Sequence, residues 1–160
     1  MKRLSAHLDA AALGQLFELL RSQEYEVYGP RKLGPALRLA PLASASDLTA
    51  GFDSETSPGR YRLSKAADER IFGAGPQTDS PKRHIHLPEA CLATVEREAG
   101  AFRILRDSTP VPKIALFGLR PCDVAGIARL DRVLLKDRFA DPHYRARRER
   151  TLVIAANCVR

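Results

Sequence analysis

Two cysteines, Cys122 and Cys158, stand where the most regular stretch of the chain can put chemistry. Each follows a short apolar run. Lys113-Ile-Ala-Leu-Phe-Gly118 precedes Leu119-Arg-Pro-Cys-Asp123, and Thr151-Leu-Val-Ile-Ala-Ala156 precedes Asn157-Cys158. Runs of this length read as buried strands. Val124 to Leu135, between them, has helical spacing. Strand, helix, strand with apolar strands predicts a parallel βαβ unit. Both thiols then fall just past the carboxyl ends of neighbouring strands, the edge where open α/β sheets bind ligands.

Two kinds of chemistry suit such a pair. A thiol at a helix start meets free N–H groups and the positive end of the helix dipole, which favour an anion. For Cys122, Arg120 adds positive charge and Asp123 subtracts some. A thiolate can act as a nucleophile, which normally needs a base beside it. His143 is the nearest histidine in sequence, but Asp141-Pro-His-Tyr144 reads as a loop and nothing places it against Cys122. A thiolate can also ligate a metal or an iron–sulfur cluster, which usually takes four cysteines. Here two are well placed, and completing a site would need Cys91 and a fourth, non-cysteine ligand. His84 and His86 flank Ile85 and read as a loop or strand pair rather than a metal site.

The elements that must position these residues follow from periodicity. Leu8 to Leu20 is amphipathic, with Leu13, Leu16, Phe17 and Leu20 on one face and Ser5 as its N-cap; His7 lies in the first turn, exposed and inert. Tyr25 to Tyr28 alternates like a strand that Gly29-Pro30 ends, and Ala36 to Leu39 is a second strand able to pair with it. Residues 41–60 are rich in Pro, Ser, Thr, Ala and Gly, with a turn at Ser57-Pro58-Gly59. Arg60 to Leu63 reads as an edge-like strand, Lys65 to Phe72 as a short helix, and Gly73 to Pro81 as a loop without a phosphate-binding motif. Pro88 opens a helix running to about Ala99, with Cys91, Leu92, Val95 and Ala99 on one face, so Cys91 reads as a small buried hydrophobe. Phe102 to Leu105 reads as a strand.

Composition bounds the rest. The chain has 160 residues, 44% apolar and 28% charged, as in an ordinary globular protein. No stretch is apolar over the roughly 18 residues of a membrane span, and the amino terminus lacks the pattern of a signal peptide. A cytoplasmic location is expected. Three cysteines are too few for a disulfide scaffold. The net charge of +7 is concentrated at the carboxyl end, where residues 131–160 hold eight Lys/Arg against four Asp/Glu. No nucleic-acid motif accompanies this excess. Arg145, Arg147 and Arg148 read as a solvated helix face or a docking patch for an acidic partner protein.

Lys113 to Asp123, Leu130-Asp-Arg-Val-Leu134, Asp141-Pro-His-Tyr-Arg-Ala-Arg-Arg-Glu149 and Asn157-Cys158 together resemble the iron–sulfur electron-transfer β subunits of cytoplasmic sulfhydrogenases (group 3 nickel–iron hydrogenases) and the A-type iron–sulfur subunits of anaerobic sulfite reductases. Tyr25-Glu-Val-Tyr-Gly-Pro30 and Pro58-Gly-Arg-Tyr-Arg-Leu63 resemble the amino-terminal region of the same family. The resemblance implies a non-catalytic electron-transfer subunit that binds a 4Fe-4S cluster. In that family a Cys-x-Cys pair and a ferredoxin-like domain follow the equivalent of Asn157-Cys158. Cys122 and Cys158 would join that pair as metal ligands, with Arg120, Pro121 and Asn157 shaping the cluster-binding loop. Where the family carries a Gly-Pro-x-Ser-Trp-Lys type of stretch, this chain has Gly75-Pro-Gln-Thr-Asp-Ser-Pro-Lys82 and no Trp.

The expected fold is α/β, a small mixed or parallel sheet with a carboxyl-terminal βαβ unit over residues 111–160 and an irregular α+β lobe over residues 1–110. The chain reads as truncated before the ferredoxin-like domain. The expected function is electron transfer within a hydrogenase or a sulfur- or sulfite-reducing complex. The expected partners are hydrogenase or flavin- or NAD(P)-binding reductase subunits, with no nucleic acid and no membrane span. The alternative is a thiol-dependent enzyme with Cys122 as nucleophile.

Overall fold

The structure, a computed structural model, describes residues 10–75, 77–98, 100–106, 110–136 and 138–157. The expectations for Ser5, His7 and Cys158 fall outside these residues. The fold is α/β. Its centre is a four-stranded mixed sheet built from β1 (Tyr25–Leu33), β2 (Ala36–Pro41), β7 (Lys113–Leu119) and β8 (Thr151–Ala155), in the order β2-β1-β7-β8. β1 runs antiparallel to β2 and parallel to β7, and β7 runs parallel to β8. The β1–β7 pairing carries the sheet across the expected boundary between residues 110 and 111.

Alternation along β7 divides the core between the two faces of the sheet. Ala115 and Phe117 meet Val27, Leu42, Leu48 and the apolar stripe of α1 (Ala10–Ser22), where Phe17 and Leu20 are buried. Ile114 and Leu116 face the other way. There they join Leu39, Ile85 of the short helix α2 (Lys82–Ile85), Ile127 of α3 (Pro121–Leu134) and Tyr144 of α4 (Pro142–Glu149). Strict alternation would turn Leu119 toward α1. Instead the β7–β8 register shifts between Phe117 and Leu119, so Leu119 joins the α3 and α4 side. Gly118 makes this bulge. Its φ is +72°, and a Cβ there would lie 2.6 Å from Phe72 Cε1. Only glycine takes both that backbone conformation and that contact without strain.

Two hairpins complete the described chain, β3 (Phe52–Ser57) with β4 (Arg60–Lys65), and β5 (Ala93–Glu98) with β6 (Ala101–Arg106). Several local expectations change here. Gly29-Pro30 does not end β1. Pairing with β7 stops at Tyr28, and the Pro30 carbonyl accepts from Thr49 N–H on the side away from β2. The proline therefore removes no ladder hydrogen bond. The helix expected over Lys65 to Phe72 is absent, because Lys65 belongs to β4 and pairs with Phe52. The helix expected from Pro88 to about Ala99 is an irregular segment followed by β5. Val95 pairs with Ile104 across the hairpin and stays exposed. Conversely, Asp141-Pro142-His143-Tyr144 is not a loop. Asp141 caps α4, its carboxylate accepting from His143 N–H at 2.8 Å and Tyr144 N–H at 3.1 Å, with Pro142 in the first turn.

Candidate functional site

The carboxyl edge of the parallel strands is assembled around Arg120. This residue precedes α3 in extended backbone, and its N–H donates to the Asp123 carboxylate at 3.2 Å, which fixes the first turn of the helix. Its side chain turns inward and is 8% exposed. The guanidinium donates to the carbonyls of Phe72 at 2.7 Å, Ala74, and Asn157 at 3.4 Å. A buried guanidinium needs its five donors satisfied, and three backbone carbonyls from two distant segments serve it. The sequence placed Arg120 beside Cys122 as a source of positive charge. In the fold its charge is spent on holding residues 72–74 and 157 together.

Pro121 and Cys122 form the start of α3 and are exposed. No hydrogen bond of the described residues engages the Cys122 thiol, so it stands free at the edge. β8 lies directly beside β7, and Ala156 N–H donates to the Leu119 carbonyl at 2.8 Å, extending the pairing past the strand end. Asn157 follows at the same edge. Arg120, Pro121, Cys122 and Asn157 are thus gathered at one place, while Cys158 itself lies outside the described residues. Beside them, on the α1 side of the sheet, is an open cleft of about 460 Å³, lined by Ile71, Phe72, Phe117, Gly118, Ile154 and Asn157 among others.

The other sequence candidates lie elsewhere. Cys91 is exposed, not a core residue. It lines a second cleft of about 430 Å³ with His86, Glu89, Asp141, His143 and Arg147. These donors do not converge. Among the described residues no three His, Cys, Asp or Glu side chains lie close enough to hold a metal ion, and the Asp141 carboxylate is engaged as the α4 cap. His84 and His86 do not share the face of an extended segment. His84 is in α2 and stacks on Tyr28 at 4.4 Å between ring centroids, and His86 ends that helix near Tyr144. Burial, helped by the charge of Arg83, pushes the His84 imidazole below its ordinary value.

Of the three arginines read as a docking patch, Arg145 is exposed, but Arg148 is not free. Its Nε bonds Asp131 at 3.1 Å, and the Tyr144 hydroxyl donates to the same carboxylate at 2.7 Å. Burial and this bond raise Tyr144 well above its ordinary value. The triad ties α4 to α3. Sequence reasoning missed it, although Asp131 is a polar residue on the core-facing side of a helix, where an unpaired carboxylate would be costly. Among the described residues no helix is long and apolar enough to cross a membrane. No family model, curated protein or solved structure matches the chain.

Proposed function

We propose that the chain is an electron-transfer iron–sulfur subunit, or part of one, serving a hydrogenase or a sulfur- or sulfite-reducing complex, with Cys122 and Cys158 as cluster ligands. The observation that carries this reading is the free, exposed Cys122 thiol at the carboxyl edge of β7, beside the Asn157 backbone that Arg120 holds. Cys158 is the next residue in sequence. The donor set fits a cluster in kind but not in number. A 4Fe-4S cluster usually takes four thiolates, and Cys91 lines a different cleft. Two further thiolates must therefore come from outside the described residues. When bound, the cluster would supply one-electron chemistry; catalysis would belong to a partner protein. Location in the cytoplasm accords with this role.

The geometry disfavours Cys122 as a catalytic nucleophile. Such a thiol needs a base within hydrogen-bond reach, and none of the described residues bonds it. His143, the nearest histidine in sequence, lines the cleft of Cys91 instead.

Anaerobic reconstitution with iron and sulfide tests the proposal. The chain, and a form extended through the codons that follow in its gene, are assayed for iron, acid-labile sulfide and visible absorption that bleaches on reduction. The proposal predicts a reducible cluster in the extended form, lowered by Cys122→Ser and by Cys158→Ser but not by Cys91→Ser. Cluster content unaffected by Cys122→Ser, or absent from both forms, would overturn it.

A further inference from the structure

The carboxyl end of α3 carries a surface that neither the core nor the cysteine edge uses. Val124, Ile127, Leu130 and Leu134 turn into the sheet. Helical spacing sends Arg129, Arg132 and Val133 to the opposite side, where all three are exposed. Val133 is 74% exposed. Lys136 follows, and the chain then doubles back, because Asp141 N–H donates to the Leu134 carbonyl at 2.9 Å. That return holds Arg138 and Phe139 near the helix end. Phe139 is 79% exposed, with the Arg138 guanidinium 4.7 Å from its ring centroid. Among the described residues none of Arg129, Arg132, Lys136 and Arg138 pairs with a carboxylate. Asp131 belongs to the Tyr144 and Arg148 triad, and Asp137 lies outside the described residues.

From this arrangement we infer that Arg129, Arg132, Val133, Lys136, Arg138 and Phe139 form a docking surface for an acidic protein face with an apolar centre. The helix dipole explains a cation or two in a last turn, but not two large apolar side chains standing in water among four cations. Charge complementarity selects an acidic partner, and Phe and Arg are the residue types enriched at protein interfaces. Nucleic acid fits less well, since phosphates would satisfy the cations and leave Val133 uncovered. A membrane surface fits less well, since α3 has already turned its broad apolar face into the core and an interfacial helix needs that face for lipid. The inference stands on this surface alone and does not depend on the iron–sulfur reading.

Four labelled probes test it against the intact chain. They are a synthetic peptide with Glu and Leu at helical spacing, a poly-glutamate of equal charge, a single-stranded oligonucleotide, and phosphatidylserine vesicles. The Glu/Leu peptide should bind about tenfold more tightly than poly-glutamate. Phe139→Ser should abolish that preference. Arg132→Glu with Lys136→Glu should weaken both acidic peptides about tenfold. Circular dichroism verifies that the variants fold, and Arg31→Glu, on β1, serves as a charge-matched control. Equal binding of the two peptides, no peptide binding, or indifference to the variants would overturn the inference. So would tighter binding of the oligonucleotide or vesicles that the same variants remove.

Discussion

The Arg120 guanidinium lies 3.4 Å from the backbone oxygen of Asn157, 37 residues later in the chain. The same group bonds the carbonyls of Phe72 and Ala74. The start of α3, the exit from β8 and the loop at residues 72–74 are therefore tied to a single side chain. Since Cys122 is two residues from Arg120 and Cys158 is one from Asn157, this tether sets the frame in which the two thiols can cooperate.

Arg120→Ala should destabilise the chain by about 3 kcal/mol, because it strands buried carbonyls that a charged donor had satisfied. Urea denaturation measures the loss. Hydrogen exchange at the Ala156 amide, which bonds Leu119, should speed up more than exchange within α1. A change below about 0.5 kcal/mol, typical of an exposed residue, would show that the tether is not made in solution.

Gly118 and Gly34 both have positive φ, +72° and +61°, but only Gly118 has neighbours within reach of a Cβ. Gly34→Ala should cost about 1 kcal/mol from backbone strain alone. Gly118→Ala should cost at least about 2 kcal/mol, since the contact with Phe72 adds to the same strain. Chemical denaturation of the two variants side by side checks the ranking, and equal losses would deny that Phe72 packs on the bulge.

His84 has its Nε2 buried without a hydrogen-bond partner, and its imidazole sits below its ordinary value of 6.5 through burial first and the Arg83 charge second. The unfolded chain thus takes up a proton at higher pH than the folded chain does. Stability from the neutral ring is fully present above about pH 6.5 and is lost as pH falls toward the folded value. His84→Phe keeps a ring against Tyr28 and cannot titrate. Its stability between pH 7 and pH 5 should fall less than that of the natural chain, measured by denaturation at each pH. An identical slope would remove His84 as the cause.

What could be read from the sequence was what local pattern determines. The apolar runs at 113–118 and 151–156 identified β7 and β8, because a strand buried on both faces cannot hide its composition. The stripe of Leu13, Leu16, Phe17 and Leu20 likewise marked α1. The β5 segment failed because Cys91, Leu92, Val95 and Ala99 fit helical spacing as well as they fit anything. The deciding feature was the turn at Gly100, with φ +88°, which brings Val95 opposite Ile104. Arg120 was found as a site residue but given the wrong work, since its partners at Phe72, Ala74 and Asn157 are distant in sequence. The Asp131, Tyr144 and Arg148 triad was hidden for the same reason. Asp141-Pro142 did carry a legible signal, an N-cap followed by proline, and it marks α4.

Cys122 and Cys158 must share one edge of the sheet for the cluster assignment to hold, and cross-linking measures this most directly. In a Cys91→Ser background only these two thiols remain. A short bis-maleimide should join them within one chain under conditions that leave the protein folded, giving a single species of monomer mass with both cysteines modified by one reagent. Arg120→Ala should lower its yield. If each thiol instead reacts with its own reagent and no internal bridge forms, the two cysteines do not share a site, and the cluster assignment fails with them.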